Sequence, residues 1–119
     1  MNSKVPFIVG YVSLKSVLTL EEVGKIISDR LFGSLEFGGK DLEIHEEIPA
    51  IFIQSPILGL KIVLDGYAGF DKNSGFNLSI APCVDIIGVK YNDIRIDIYL
   101  FHLLKTALKD VPEIEVFEN

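Results

Sequence analysis

The chain is predicted to fold as an α+β domain, an antiparallel sheet of about five to six strands with two helices packed on one face. Three observations predict it. Short runs rich in β-branched and aromatic residues recur between turn residues, and two other segments carry apolar side chains at helical spacing. Their order is strand, helix, several strands, helix, strand, which fits a two-layer arrangement. With 119 residues, 49% of them hydrophobic and 24% charged, residues 1–119 form a single globular domain. A chain of this length buries roughly two-thirds of the surface its unfolded form exposes.

Phe7 to Leu14 reads as the first strand, buried because polar alternation is weak. Thr19 and Glu22 then match a capping box, in which hydroxyl and carboxylate each satisfy a backbone N–H at a helix start. The helix is predicted from about Leu20 to Phe32, with Gly33 as a left-handed stop. Leu20, Val23, Ile27 and Leu31 form its apolar stripe, Ile26 lies beside it, and Glu21, Lys25, Ser28 and Asp29 turn to water. Beyond the Gly38-Gly39 break, Glu47 to Gln54 reads as a strand with Pro49 near its beginning or on an edge. Leu60 to Leu64 reads as another, ended by Asp65-Gly66 as a turn dipeptide. The polar tip Asp71 to Gly75 precedes the strand Phe76 to Ile80, which Pro82 closes. Val84 to Ile96 fits one bent strand or two short ones, with Gly88 marking a bulge. Asp97 is expected to cap a second helix, Ile98 to Lys109, which Pro112 stops, and Ile114 to Phe117 adds a last strand at a sheet edge.

The net charge of −6 is unevenly spread. Between Glu36 and Glu47 lie Glu36, Asp41, Glu43, Glu46 and Glu47 against Lys40 alone, and from Asp110 onward lie four acids and no base. Local acidity of this kind steers a basic partner. It argues against direct nucleic-acid binding, which draws affinity from clustered Lys and Arg, since Arg30 and Arg95 are the only arginines. The single cysteine, Cys83, forms no internal disulfide, so the expected compartment is the cytoplasm. No apolar segment is long enough for a membrane span, and Gly10, Tyr11 and Ser13 interrupt the opening run as a secretion signal.

No constellation of catalytic residues emerges, and the chain is read as a binding protein, not an enzyme, with no metal and no cofactor. His45-Glu46-Glu47 lacks the second histidine of a zinc-protease motif, because Pro49 stands one turn on. His102 is expected at the edge of the core with one nitrogen satisfied. Cys83 is expected to be a small buried residue, with Asp85 unfavourable to a thiolate. Asp71-x-Asn73-x-Gly75 resembles the start of a calcium loop, but its twelfth position is Pro82, so a hairpin tip accounts for it. What the charge pattern does nominate is a contact surface. Its candidates are Glu36, Asp41, Glu43, Glu46 and Glu47, with Asp65, Tyr67, Phe70 and Asp71 as a second surface that joins charge to aromatic anchors.

The run from Ser34 to Asp41, the strand EIPAIFIQ, the segment LGLKIVLDGY and a Leu-rich helix before a short final strand together carry a family likeness. In size, acidity and order of elements the chain resembles small immunity proteins of bacterial toxin–immunity systems, including the partners of contact-dependent growth-inhibition and related polymorphic toxins. The resemblance spans most of the chain. It implies binding to a cognate toxin domain, often a basic nuclease, and blockade of its active site or substrate surface without catalysis. No contact residue follows from it by motif. Two alternatives belong to other classes. A small acidic secretion chaperone usually dimerises and commonly begins with a helix, and a small ligand-binding domain would need a pocket of converging polar groups.

Overall fold

Two helices and seven strands realise the apolar pattern in a computed structural model, whose described residues are 4–38, 49–53, 59–82 and 90–118. They follow in the order β1 (Lys4–Ser16), α1 (Leu20–Leu31), β2 (Phe37–Gly38), β3 (Ala50–Ile53), β4 (Leu60–Tyr67), β5 (Gly75–Pro82), β6 (Lys90–Arg95), α2 (Asp97–Ala107) and β7 (Ile114–Phe117). The strands form one sheet in the order β2-β3-β4-β5-β1-β6, and β7 also pairs with β1. All pairings are antiparallel except that of β1 with β6. The fold is thus the expected α+β class, with one parallel pair at its edge.

Strand β1 is longer than its apolar run because it has two working edges. Gly10 to Leu14 pairs with β5 on one edge, while the other is shared by β6, against residues 4–9, and β7, against residues 13–16. Hydrogen bonding on both sides carries the strand past the polar residues Lys15 and Ser16.

Helix α1 begins as its capping box requires. The Glu22 N–H donates to the Thr19 hydroxyl at 3.2 Å and the Thr19 N–H to Glu22 Oε1 at 3.0 Å. Gly33 follows the helix at φ 59°. The stripe Leu20, Val23 and Ile27 is buried as expected, but Ser28 is buried too, because its hydroxyl donates to the Leu35 carbonyl and draws the following chain back along the helix. A side chain at Gly24 would collide with Ile51, so glycine lets the helix settle on β3.

The second helix starts without the expected cap. Ile96 holds the cap position and makes no side-chain bond, because the Asp97 carboxylate is turned elsewhere. It accepts from the Tyr11 N–H at 2.7 Å and from Arg95 Nε and Nη2 at 2.9 and 3.1 Å. Asp97 therefore stitches the helix start to β1. The Asp65-Gly66 pair likewise departs from expectation: it continues β4 as strand, paired with Asn77 and Phe76, and the hairpin turns farther on. Gly66 sits at φ 124°, and a Cβ there would come within 2.0 Å of the Gly75 carbonyl oxygen. Close approach of two backbones, not reversal of the chain, is what demands glycine here.

Both helices lie on one face and share a single core. Val12 and Leu14 of β1, Ile62 and Leu64 of β4, and Phe76, Leu78 and Ile80 of β5 meet Val23 and Ile27 of α1 and Leu100 and Leu104 of α2. Each fully buried Leu or Ile contributes about 1.5–3 kcal/mol, so this layer holds most of the stability. Arg30 fastens the ends of the helices, donating to both oxygens of Asp110 at 2.6 and 3.1 Å and to the Ala107 carbonyl at 3.1 Å.

Candidate functional site

The outer face of α1 carries Glu21, Lys25 and Asp29 one helical turn apart, all exposed. Lys25 Nζ lies 3.3 Å from Asp29 Oδ2. Past the helix, Gly33 and Ser34 both take positive φ, and the chain doubles back so that the Ser34 N–H reaches the Ser28 carbonyl at 3.0 Å. This return path is pinned by the Ser28 hydroxyl, and Phe37 then joins the sheet opposite Ile53. Between helix and returning chain lies a groove of about 590 Å³, lined by Glu21, Lys25, Ser28, Asp29, Ser34, Leu35, Glu36 and Phe37.

Three carboxylates and one ammonium line this groove together with the apolar Leu35 and Phe37. A hydrogen bond from Ser34, and next one from Lys25, holds the Asp29 carboxyl below its ordinary value, so it stays charged at neutral pH. Glu36 is exposed and is the described member of the acidic run. The other members, Asp41, Glu43, Glu46 and Glu47, lie outside the described residues, as do His45 and Cys83. The sequence reading set Glu36 apart from α1 and missed Glu21 and Asp29 as its neighbours. Their spacing with Lys25 was a visible signal; the doubling back of residues 33–37 was not.

The second predicted surface divides. Tyr67 and Phe70 are half exposed at the end of the β4–β5 hairpin, and a bridge between Ser16 and Gly69 brings exposed Val17 beside them. Asp71 is exposed at the tip, where its backbone carbonyl accepts from Lys15 Nζ at 2.9 Å and from the Ser74 N–H at 3.0 Å. Asp65 does not join them. Only 5% of it is exposed, and its carboxylate accepts from Asn77 Nδ2 at 3.2 Å, while the Ser13 hydroxyl donates to Asn77 Oδ1 at 3.3 Å. Ser13, Asn77 and Asp65 oppose one another across three adjacent strands, and so form a polar row on the side of the sheet away from the helices. Burial, and next the Asp65 carboxylate, raise the Tyr11 hydroxyl above its ordinary pKa at the end of this row. Between the row and the hairpin is a concavity of about 390 Å³ that also takes in Lys15, Tyr67, Lys72 and Phe117.

Among the described residues, no three His, Cys, Asp or Glu side chains are placed to hold a metal ion, and no helix is long and apolar enough to cross a membrane. The Asp71-x-Asn73-x-Gly75 segment is a hairpin turn. His102, expected at the edge of the core, is exposed on α2 with its ring edge-on to Phe101 at 5.0 Å. Its position is two residues beyond buried Leu100, which turns it off the packed face. No family model, no curated protein and no solved structure matches the chain.

Proposed function

We propose that this protein is an immunity-type inhibitor that binds a basic bacterial toxin domain through an acidic surface and transforms no substrate. The observation that carries the reading is the α1 groove. Its Glu21, Asp29 and Glu36 line one groove with the apolar Leu35 and Phe37 where the acid-rich segment begins. Carboxylates beside apolar contact area suit the basic side chains of a nucleic-acid-cleaving enzyme, whose substrate cleft is built for phosphate. The inhibitor would act in the cytoplasm, before the toxin reaches its target. The hairpin end, with Tyr67, Phe70 and Asp71, is the second contact surface in this reading, and buried Asp65 is not part of it.

The test is growth protection. The reading expects a toxic domain encoded immediately upstream, which is expressed in cells with or without this chain. Wild type is expected to protect. The triple variant Glu21→Lys, Asp29→Lys, Glu36→Lys is expected to protect poorly while keeping the wild-type circular dichroism spectrum. Absence of both protection and measurable heat in calorimetry with that domain would end the proposal.

A further inference from the structure

Among the described residues, strand β6 ends the sheet. On one side it pairs with β1, and among the described residues no strand pairs with the other. Lys90 and the four residues Asn92 to Arg95 are all exposed. Ile94 stands in register with Ile8 of β1, at 43% and 41% exposure, and Ile98 on the first turn of α2 is 61% exposed. An edge unpaired among the described residues and bordered by isoleucines invites another strand, and natural edges usually discourage one by placing charges on it. Here the charges do not simply repel. Asp93 and Arg95 flank Ile94 with opposite signs on the face away from the helices.

We propose that this edge pairs with the same edge of a second copy of the chain, antiparallel about a two-fold axis through Ile94, so that one sheet runs through a homodimer. Continuity of the sheet restricts the choices. A two-fold axis normal to the sheet keeps helix side on helix side, so residues of equal parity must oppose one another. Centring on Asp93 sets that carboxylate against itself, and centring on Asn92 sets Ile94 against Lys90. Centring on Ile94 sets isoleucine against isoleucine and gives two Asp93–Arg95 contacts, one on each side of the axis. Asp97 occupies only Nε and Nη2 of Arg95, and a planar guanidinium with five donors accommodates a second carboxylate. Exposed ion pairs contribute little affinity, so backbone pairing and the Ile8, Ile94 and Ile98 surface hold the copies together while the charges select the register.

Sedimentation of the full chain tests this, in a Cys83→Ser background for cross-linking. A concentration-dependent dimer is expected. Ile94→Cys should form an intermolecular disulfide on mild oxidation, since opposed residues of antiparallel strands lie within disulfide reach, whereas Asn92→Cys should not. Asp93→Arg and Arg95→Asp, each alone, should weaken self-association about tenfold or more. Mixed one to one, they should dimerise again, because the mixed pair opposes unlike charges at both contacts. Should Arg95→Asp unfold, the two cysteine variants decide. A wild type monomeric up to about 1 mM, cross-linking through position 92 in place of 94, or a mixture no tighter than its components would each overturn the proposal.

Discussion

On the helix side of the sheet, Leu14, Leu64, Phe76 and Leu78 stand on neighbouring strands with almost no exposure; on the opposite side the same strands align Ser13, Asp65 and Asn77 in a hydrogen-bonded row. The first layer is held by volume and apolar area, with no direction to its forces. The second depends on pairing, since a buried carboxylate without donors is costly. The contrast separates stability from recognition. Packing seals the helix side over the centre of the sheet, so exposed charge and half-exposed aromatics remain at the hairpin end, the outer face of α1 and the sheet edges.

Neighbouring residues on opposite faces make the sharpest comparison. Leu78→Ala removes a side chain with no exposure from the centre of the core and should cost about 2–5 kcal/mol, read as a lower urea midpoint at unchanged m-value. A loss under 1 kcal/mol would show that the core is looser than its packing. Gly66→Ala, on the strand beside it, should cost about 3 kcal/mol, because φ 124° and the Gly75 carbonyl leave a methyl group no space. Asn77→Ala takes one donor from Asp65 and should cost about 1–3 kcal/mol by the same urea assay. Equal costs for Leu78→Ala and Asn77→Ala, with equal temperature dependence, would erase the distinction between the faces. Away from both layers, Thr19→Ala should remove about 1 kcal/mol by opening the capping box.

Acid should act on the clasps at the margins. Hydrogen bonds from Arg95 to Asp97 and from Arg30 to Asp110 hold both carboxyls below their ordinary value of 3.8. A lowered folded pKa means that the unfolded chain binds protons more readily. The clasps therefore add stability above pH 3.8 and lose it as pH falls below that value through the folded pKa. Asp97→Asn and Asp110→Asn should each flatten the acid limb of the stability profile slightly, Asp97→Asn more because its carboxylate also accepts the Tyr11 N–H. Unchanged acid limbs in both variants would show that the clasps are spectators.

Legibility followed the range of the determining contacts. The Thr19–Glu22 box, the Leu20-Val23-Ile27 stripe and the final strand at Ile114 are written within a few residues, and each lies where local rules place it. Asp65-Gly66 misled because the dipeptide suits a turn, whereas its glycine answers to Gly75 on the next strand. Asp97 misled in the same way, its carboxylate being claimed by Tyr11, which is 86 positions away in sequence. Ser28 sits on the polar flank of the helix by spacing, yet the returning chain at Leu35 covers it. For the groove, Glu36 was legible as charge, but its alignment with Glu21 and Asp29 arises only when residues 33–37 fold back.

The central claim is that the acid-lined groove captures a basic toxin domain, and its most direct measure is the association rate as a function of ionic strength. Stopped-flow mixing with the basic toxin domain that the proposal expects upstream should give a rate that falls steeply with added salt for the wild type. For the variant reversed at Glu21, Asp29 and Glu36, the rate should be slower by about tenfold or more at low salt and nearly flat. Equal rates and equal salt slopes for the two proteins would contradict the account.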